Sequence, residues 1–242
     1  EKTVRADVRH QLKEDKFRKF TTEQAHWAVE HRDTVIKVSV ALVLVLGLLV
    51  GGYFYFNHRD ELASAELSKA VRTYNTPIRP AGTPEQPEFP TFATLAERAA
   101  KAHGQFEAIA TQYPHTKSAD FARYFSGLTS VDMGDNAAAE SSLKQTANAS
   151  SNDLSALAKM ALASLYRNTN RDQQAIELYK QLTDKPSTTV SKQSAQMELA
   201  ELYASKQETA EARKIYEQLQ KENPNTQVAS MASAKLQEIV KK

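Results

Sequence analysis

No cysteine occurs in the 242 residues, which removes disulfide frameworks, thiolate zinc sites and cysteine nucleophiles together. Glycine is scarce too, seven residues in all. Gly104 and Gly127 fall inside helical patterns and Gly82 inside a proline-rich stretch, so no glycine-rich loop exists to cradle a phosphate. The histidines (His10, His26, His31, His58, His103, His115) make no i,i+4 pair and no metal-ligand spacing. Neither sign of charge dominates. Residues 1–37 hold nine Lys/Arg against seven Asp/Glu, and residues 58–242 hold twenty-two of each. Such interspersed charge lacks the concentrated basic face that nucleic acid requires. Glu107, Asp132, Glu140, Glu177, Glu198, Glu201 and Glu217 fall on helix faces with Lys or Arg nearby, the pattern of solvated, paired charge. The sequence thus points away from an enzyme, a bound metal or cofactor, a nucleic acid partner and a small-molecule substrate.

Polarity is missing altogether from residues 38–56, where Ser39 is the one polar side chain other than the terminal tyrosines. About twenty helical residues at 1.5 Å each cross a hydrocarbon core of roughly 30 Å. Twelve of these nineteen are Leu, Val or Phe, which favours insertion by about 5 kcal/mol. A secretory signal has a shorter apolar core close to the N-terminus and a small-residue cleavage site. Here the run begins more than thirty residues in and ends on Tyr53-Phe54-Tyr55-Phe56, an interfacial aromatic belt, with Lys37 placed to snorkel at the other end. A membrane-spanning helix over residues 35–57 is expected. Lys16, Arg18, Lys19, Arg32 and Lys37 on one side outnumber Arg59, Lys69 and Arg72 on the other. That bias puts the N-terminus in the cytoplasm and the large domain across the membrane.

Beyond the span the chain repeats itself. Leu162-Ala163-x-x-Tyr166 returns thirty-seven residues on as Leu199-Ala200-x-x-Tyr203. Ala175 matches Ala212, Tyr179 matches Tyr216, Leu182 matches Leu219, and Pro186 lies one place short of Pro224. Earlier copies supply Ser126-Gly127, Gly134, Ala139 and Leu143, then Ala102, Phe106, Ile109 and Pro114. Each unit reads as a helical hairpin unable to bury its apolar stripe alone. A small residue on the first helix (Gly127, Ala163, Ala200) faces a small residue on the second (Ala102, Ala139, Ala175, Ala212). A bulky residue four further on (Phe106, Leu143, Tyr179, Tyr216) fills the groove, because i and i+4 share a face. Proline ends the second helices at Pro114, Pro186 and Pro224. The pattern resembles tetratricopeptide repeats, whose period is about 34 residues, so the extra residues should lengthen turns between hairpins. A last helix over residues 228–240, carrying Leu236, should cap the stack.

In the first unit Pro77, Pro80, Pro84, Pro87 and Pro90 forbid a helix ahead of the one expected over residues 92–113. Its partner is placed at residues 60–74, with Leu62, Leu67, Val71 and Tyr74 as the apolar face, continuing from the span. The proline segment is then an exposed insertion or a polyproline docking strand. Gly47 and Gly51, with Gly52 beside them, form a small-xxx-small face where another helix can approach. At the N-terminus Val4, Val8 and Leu12 recur among Arg5, Arg9, Lys13 and Lys16, as in a basic amphipathic helix on the inner leaflet. Thr21 with Gln24 resembles a capping box before a helix carrying Trp27 and Val29. Tetratricopeptide stacks present a groove made by their first helices. The candidate groove residues are Arg123, Tyr124, Lys159, Arg167, Gln196 and Glu198, whereas Tyr166 and Tyr203 are expected in the core.

The expected architecture is all-α, a single transmembrane helix followed by a tetratricopeptide-like solenoid of helical hairpins. Its segments are a cytoplasmic amphipathic stretch (1–34), the span (35–57), a linking helix and proline-rich loop (58–91), and the repeat domain with its capping helix (92–242). This arrangement resembles the bacterial ancillary subunit of the Sec translocon, a single-pass inner-membrane protein. The segments YPHTKSADFARYFSGLTSVDMGDNAAAE and NPNTQVASMASAKLQEI are also similar to repeats of periplasmic envelope-assembly and division-coordinator proteins. The resemblance implies a periplasmic scaffold that contacts the translocon and a membrane-anchored chaperone. A structural accessory subunit of a large membrane complex, held through its span, is the competing expectation. In both cases the lipid bilayer is a partner and no cofactor is involved.

Overall fold

The computed structural model describes residues 31–84, 88 and 90–240; the expected amphipathic helix around Val4–Leu12 and the Thr21/Gln24 cap lie outside them. The described residues are all-α, and their only sheet-like pairing is an isolated bridge between Ile78 and Phe92. Two compact units meet at the Asn57–His58 junction. Helix α1 (Arg32–Tyr74) contributes to both.

In the first unit, α1 is long and apolar enough to cross a membrane, and none of its eighteen most apolar residues is buried. Val, Leu and aromatic side chains stand exposed all round it, from Val38 to Phe56.

The second unit is a row of hairpins. The end of α1 pairs with α2 (Leu95–Gln112). Then come α3 (Lys117–Asp132) with α4 (Asn136–Ala147), α5 (Asn152–Asn168) with α6 (Asp172–Asp184), and α7 (Lys192–Ser205) with α8 (Thr209–Glu222). Helix α9 (Gln227–Val240) closes the row, with Val228, Leu236 and Ile239 packed on the core. The small-residue contacts fall where the repeat puts them. Ala102, Ala139, Ala175 and Ala212 are wholly buried, as are the bulky residues Phe106, Leu143, Tyr179 and Tyr216 four places on. Tyr166 and Tyr203 are buried as expected. Gly127 permits the close approach within its hairpin: a Cβ there would lie 2.7 Å from Leu143 Cγ.

Turns explain the long period. Inside each of the last three hairpins a three-residue turn has its centre in the left-handed region, at Gly134 (φ 79°), Asn170 (φ 57°) and Gln207 (φ 64°). Between hairpins, Tyr113-Pro114-His115-Thr116 and Asn223-Pro224-Asn225-Thr226 make one turn twice. The third residue is left-handed (φ 65° and 62°), and the threonine hydroxyl accepts the N–H of Ala119 or Ala229. The caps Thr116, Ser151, Ser191 and Thr226 therefore step by 35, 40 and 35 residues. Most of the excess is one loop, residues 185–191, tied down where the Asp153 carboxylate accepts the Thr188 N–H at 2.9 Å.

The first hairpin differs from expectation in two details. Leu62 is 46% exposed, and the face against α2 is built from Ala63, Leu67, Ala70, Val71 and Tyr74, because the two alanines admit the closest approach. Helix α2 starts at Leu95 rather than near Phe92, since Phe92 exchanges backbone hydrogen bonds with Pro77 and Arg79 and Thr94 caps the helix. Those bonds close the base of the proline loop. The Asp60 carboxylate accepts the Ser118 N–H at 2.9 Å and so ties this hairpin to the next.

Candidate protein-binding surface

The first helices of the hairpins form a continuous row. Helix α3 packs on α5, α7 packs on α9, and the Arg167 guanidinium of α5 donates to the Glu198 carboxylate of α7 at 2.8 Å. The solvent side of this row is the surface under consideration.

Helix α3 has an inverted composition. Its buried residues are Ser118, Ala119, Ala122, Ser126, Gly127, Thr129 and Ser130, all small and mostly polar. Of its large apolar residues, Phe125 packs inward, stacked on Phe106 with ring centroids 5.1 Å apart, and Tyr124 packs in part on the core, whereas Phe121, Leu128 and Val131, spaced seven and three apart, lie on the opposite side. Phe121 is 40% and Val131 36% exposed, with Tyr124 and Leu128 half-buried. The small inner side lets α2 and α4 approach closely. His103 Nδ1 lies 3.1 Å from the Thr129 hydroxyl, and Ser126 donates to Glu107 across the same seam. Ser126 thus bonds Glu107 directly, and His103 Nδ1 lies 3.5 Å from the same hydroxyl. Further along the row Met160 and Met197 are partly buried against the core, and Met231 of α9 is exposed. Methionine is the adaptable apolar residue, able to refit to differing partners.

The structure separates the sequence-derived candidates by repeat position. Arg123, Lys159 and Gln196 share one position, and it faces the second helices. Arg123 pairs with Asp120 at 2.6 Å and lines a hollow of about 460 Å³ with His103, Glu107 and Gln145. Lys159 lines a hollow of about 620 Å³ beside Gln181 and Asp184. Gln196 is only 4% exposed, so it is not the exposed groove residue expected; in α7 it shares the buried face of Leu199, Ala200 and Tyr203. The next position along, Tyr124, Met160 and Met197, is partly buried against the core, and burial raises the Tyr124 phenol. Arg167 and Glu198 are brought together as an ion pair. Gly47, Gly51 and Gly52 lie on α1, and a Cβ at any of them would meet nothing within 4 Å.

Sequence reasoning missed Phe121, Leu128, Val131 and the methionines. Their signal was present in α3: once its small residues and Phe125 are assigned to the core, Phe121, Leu128 and Val131 are left on the outside. Among the described residues no group of three or more His, Cys, Asp or Glu is placed to hold a metal ion.

Neither curated proteins nor solved structures give a match to this chain. The family described as "Tetratricopeptide repeat-like domain" matches residues 27–178, and "Tetratricopeptide repeat" matches residues 194–226. The first match takes in all of α1, including its apolar part, and continues into α6. With more than half its length matched and its helices paired as described, the chain belongs to the tetratricopeptide repeat-like domain family.

Proposed function

We propose that this protein is a membrane-anchored scaffold that binds polypeptides along its row of first helices. The observation that carries this reading is helix α3, which leaves Phe121, Leu128 and Val131 toward solvent while its fully buried residues are Ala, Ser, Gly and Thr. A helix needing only stability would place them the other way round. Tetratricopeptide stacks mediate protein–protein interaction, and an open, Met-bearing surface suits segments of varied sequence.

Anchoring is supported by the exposure of every large side chain over residues 38–56, a patch far beyond what a soluble monomer leaves in water. Removal as a signal fits poorly. Ala63-Ser64-Ala65 offers small residues after the run, but Ala63 is wholly buried against α2, so cleavage there would strip the first hairpin of its packing. With the N-terminus cytoplasmic, the hairpins lie in the periplasm, where exported chains and a translocon-associated chaperone are the fitting partners. The segments proposed for this arrangement are 1–34, 35–57, 58–91 and 92–242.

A second reading has its own observation. The open faces of Gly47 and Gly51 admit close approach of a partner helix, so the protein would serve a membrane complex as an accessory subunit. Photocrosslinkers at Phe121 and Leu128, at Gly51, and at the exposed Lys180 as control separate the two. Adducts with an exported, unfolded chain at 121 and 128 but not at 180 are expected; adducts confined to 51 would replace scaffold by subunit. Because the chain lacks cysteine, Thr209→Cys should label with an impermeant maleimide in spheroplasts before lysis, and labelling only after lysis would reverse the topology.

A further inference from the structure

Helices α7, α8 and α9 converge on a cavity of about 720 Å³ lined by Glu201, Ala204, Tyr216, Lys235, Glu238 and Ile239 among others. Tyr216 is 1% exposed, yet its hydroxyl has no hydrogen-bond partner. A buried phenol in that state leaves an acceptor and a donor unused at the cavity wall. Lys235 Nζ lies 3.6 Å from Glu201 and 3.6 Å from Glu238, close enough for attraction but outside hydrogen-bond distance of either. Two carboxylates thus share one loosely held ammonium. Burial raises the Tyr216 phenol, and Glu201, Glu238 and Glu198 raise it further. At the equivalent Tyr179, Arg167 offsets Glu198. The Tyr179 hydroxyl is likewise unpartnered, with Glu198 and Glu201 set against Arg167, so the last hairpin differs by the added Glu238.

We propose that this cavity receives the cationic side chain, arginine or lysine, of the polypeptide bound along the row of first helices. Glu201, Glu238 and the Tyr216 oxygen supply three acceptors for its N–H groups, and Ala204 and Ile239 flank its methylenes. The bound segment then reads as apolar where it lies on Phe121, Tyr124, Leu128 and Val131, and basic where it reaches α9. This inference rests on the polypeptide-binding reading above and adds the charge of the ligand.

The test uses the full chain in detergent micelles and two short fluorescein-labelled peptides of Leu and Ser, one with a single arginine and one with citrulline in its place. Fluorescence anisotropy should show the arginine peptide binding about tenfold tighter at low salt, a ratio that shrinks as salt approaches about 0.5 M. Glu201→Gln with Glu238→Gln should bring the two peptides to about equal affinity without weakening the citrulline peptide. Lys235→Met removes the internal competitor and should raise arginine-peptide affinity; a fall would overturn the cation site and point to an acidic ligand. Equal affinities in the unaltered protein would overturn it too while leaving the scaffold reading in place. Binding of neither peptide would remove both.

Discussion

Gly127 and Gly104 are both mid-helix glycines, and the structure assigns them opposite roles. A Cβ at Gly127 meets Leu143 Cγ at 2.7 Å, whereas one at Gly104 meets nothing within 4 Å. Gly127→Val should therefore force α3 from α4 and cost about 2 kcal/mol, since overpacking outweighs any gain in helix propensity. Gly104→Ala should stabilise by about 0.5–1 kcal/mol through reduced unfolded-state freedom and better propensity. Paired urea melts of the two variants check both signs. Equal shifts would mean that the α3–α4 contact is not the one described.

At the scale of elements, hairpin joins to hairpin through polar ties as well as through the core. Glu140 of α4 accepts from Lys144 at 2.6 Å, from Arg171 ahead of α6 at 2.6 Å, and from the Tyr166 hydroxyl of α5 at 3.0 Å. Hydrogen bonds from Lys144 and Arg171, against an opposing contribution from burial, hold its carboxyl down at about 2 instead of the usual 4.5. A carboxyl whose folded pKa is depressed stabilises the fold fully above its unfolded value. That contribution is lost as pH falls from about 4.5 toward about 2. Glu140→Gln should consequently melt below the unaltered protein near neutrality, with the gap closing as pH drops through that window. A gap independent of pH would show that the carboxylate charge is not what ties α4 to the third hairpin.

For the whole molecule, a repeat stack is stable only if its last hydrophobic face is covered. Helix α9 does this with Val228, Ala232, Leu236 and Ile239 against a core that includes Leu199, Tyr216 and Leu219. Uncovering that face by ending the chain at Asn223 should cost about 4 kcal/mol and lower the melting temperature by roughly 10 °C. Differential scanning calorimetry in detergent measures it; an unchanged transition would mean that the stack needs no cap. Loss of α9 also removes Lys235 and Glu238, so arginine-peptide binding and stability should fall together in this truncation and separate in Lys235→Met.

The repeat, its register and the ends of the second helices were legible because they are local matters: Ala and Gly at 36- and 37-residue intervals, and prolines that stop helices, act through neighbours three or four places away. The apolar stretch at 38–56 was equally plain, since length and composition alone decide whether a helix can cross a bilayer. Which side of a first helix meets solvent was a different question. Arg123, Lys159 and Gln196 look outward by polarity, yet their repeat position faces the second helices, and Phe121, Leu128 and Val131 look like core yet stand outside. Polarity misleads there because α3 is packed through its small residues, and only the mutual approach of α2, α3 and α4 determines which side that is. The same holds for the Tyr216 cavity: its acids, its lysine and its hydroxyl come from three helices, and only their packing brings those charges within reach of one another.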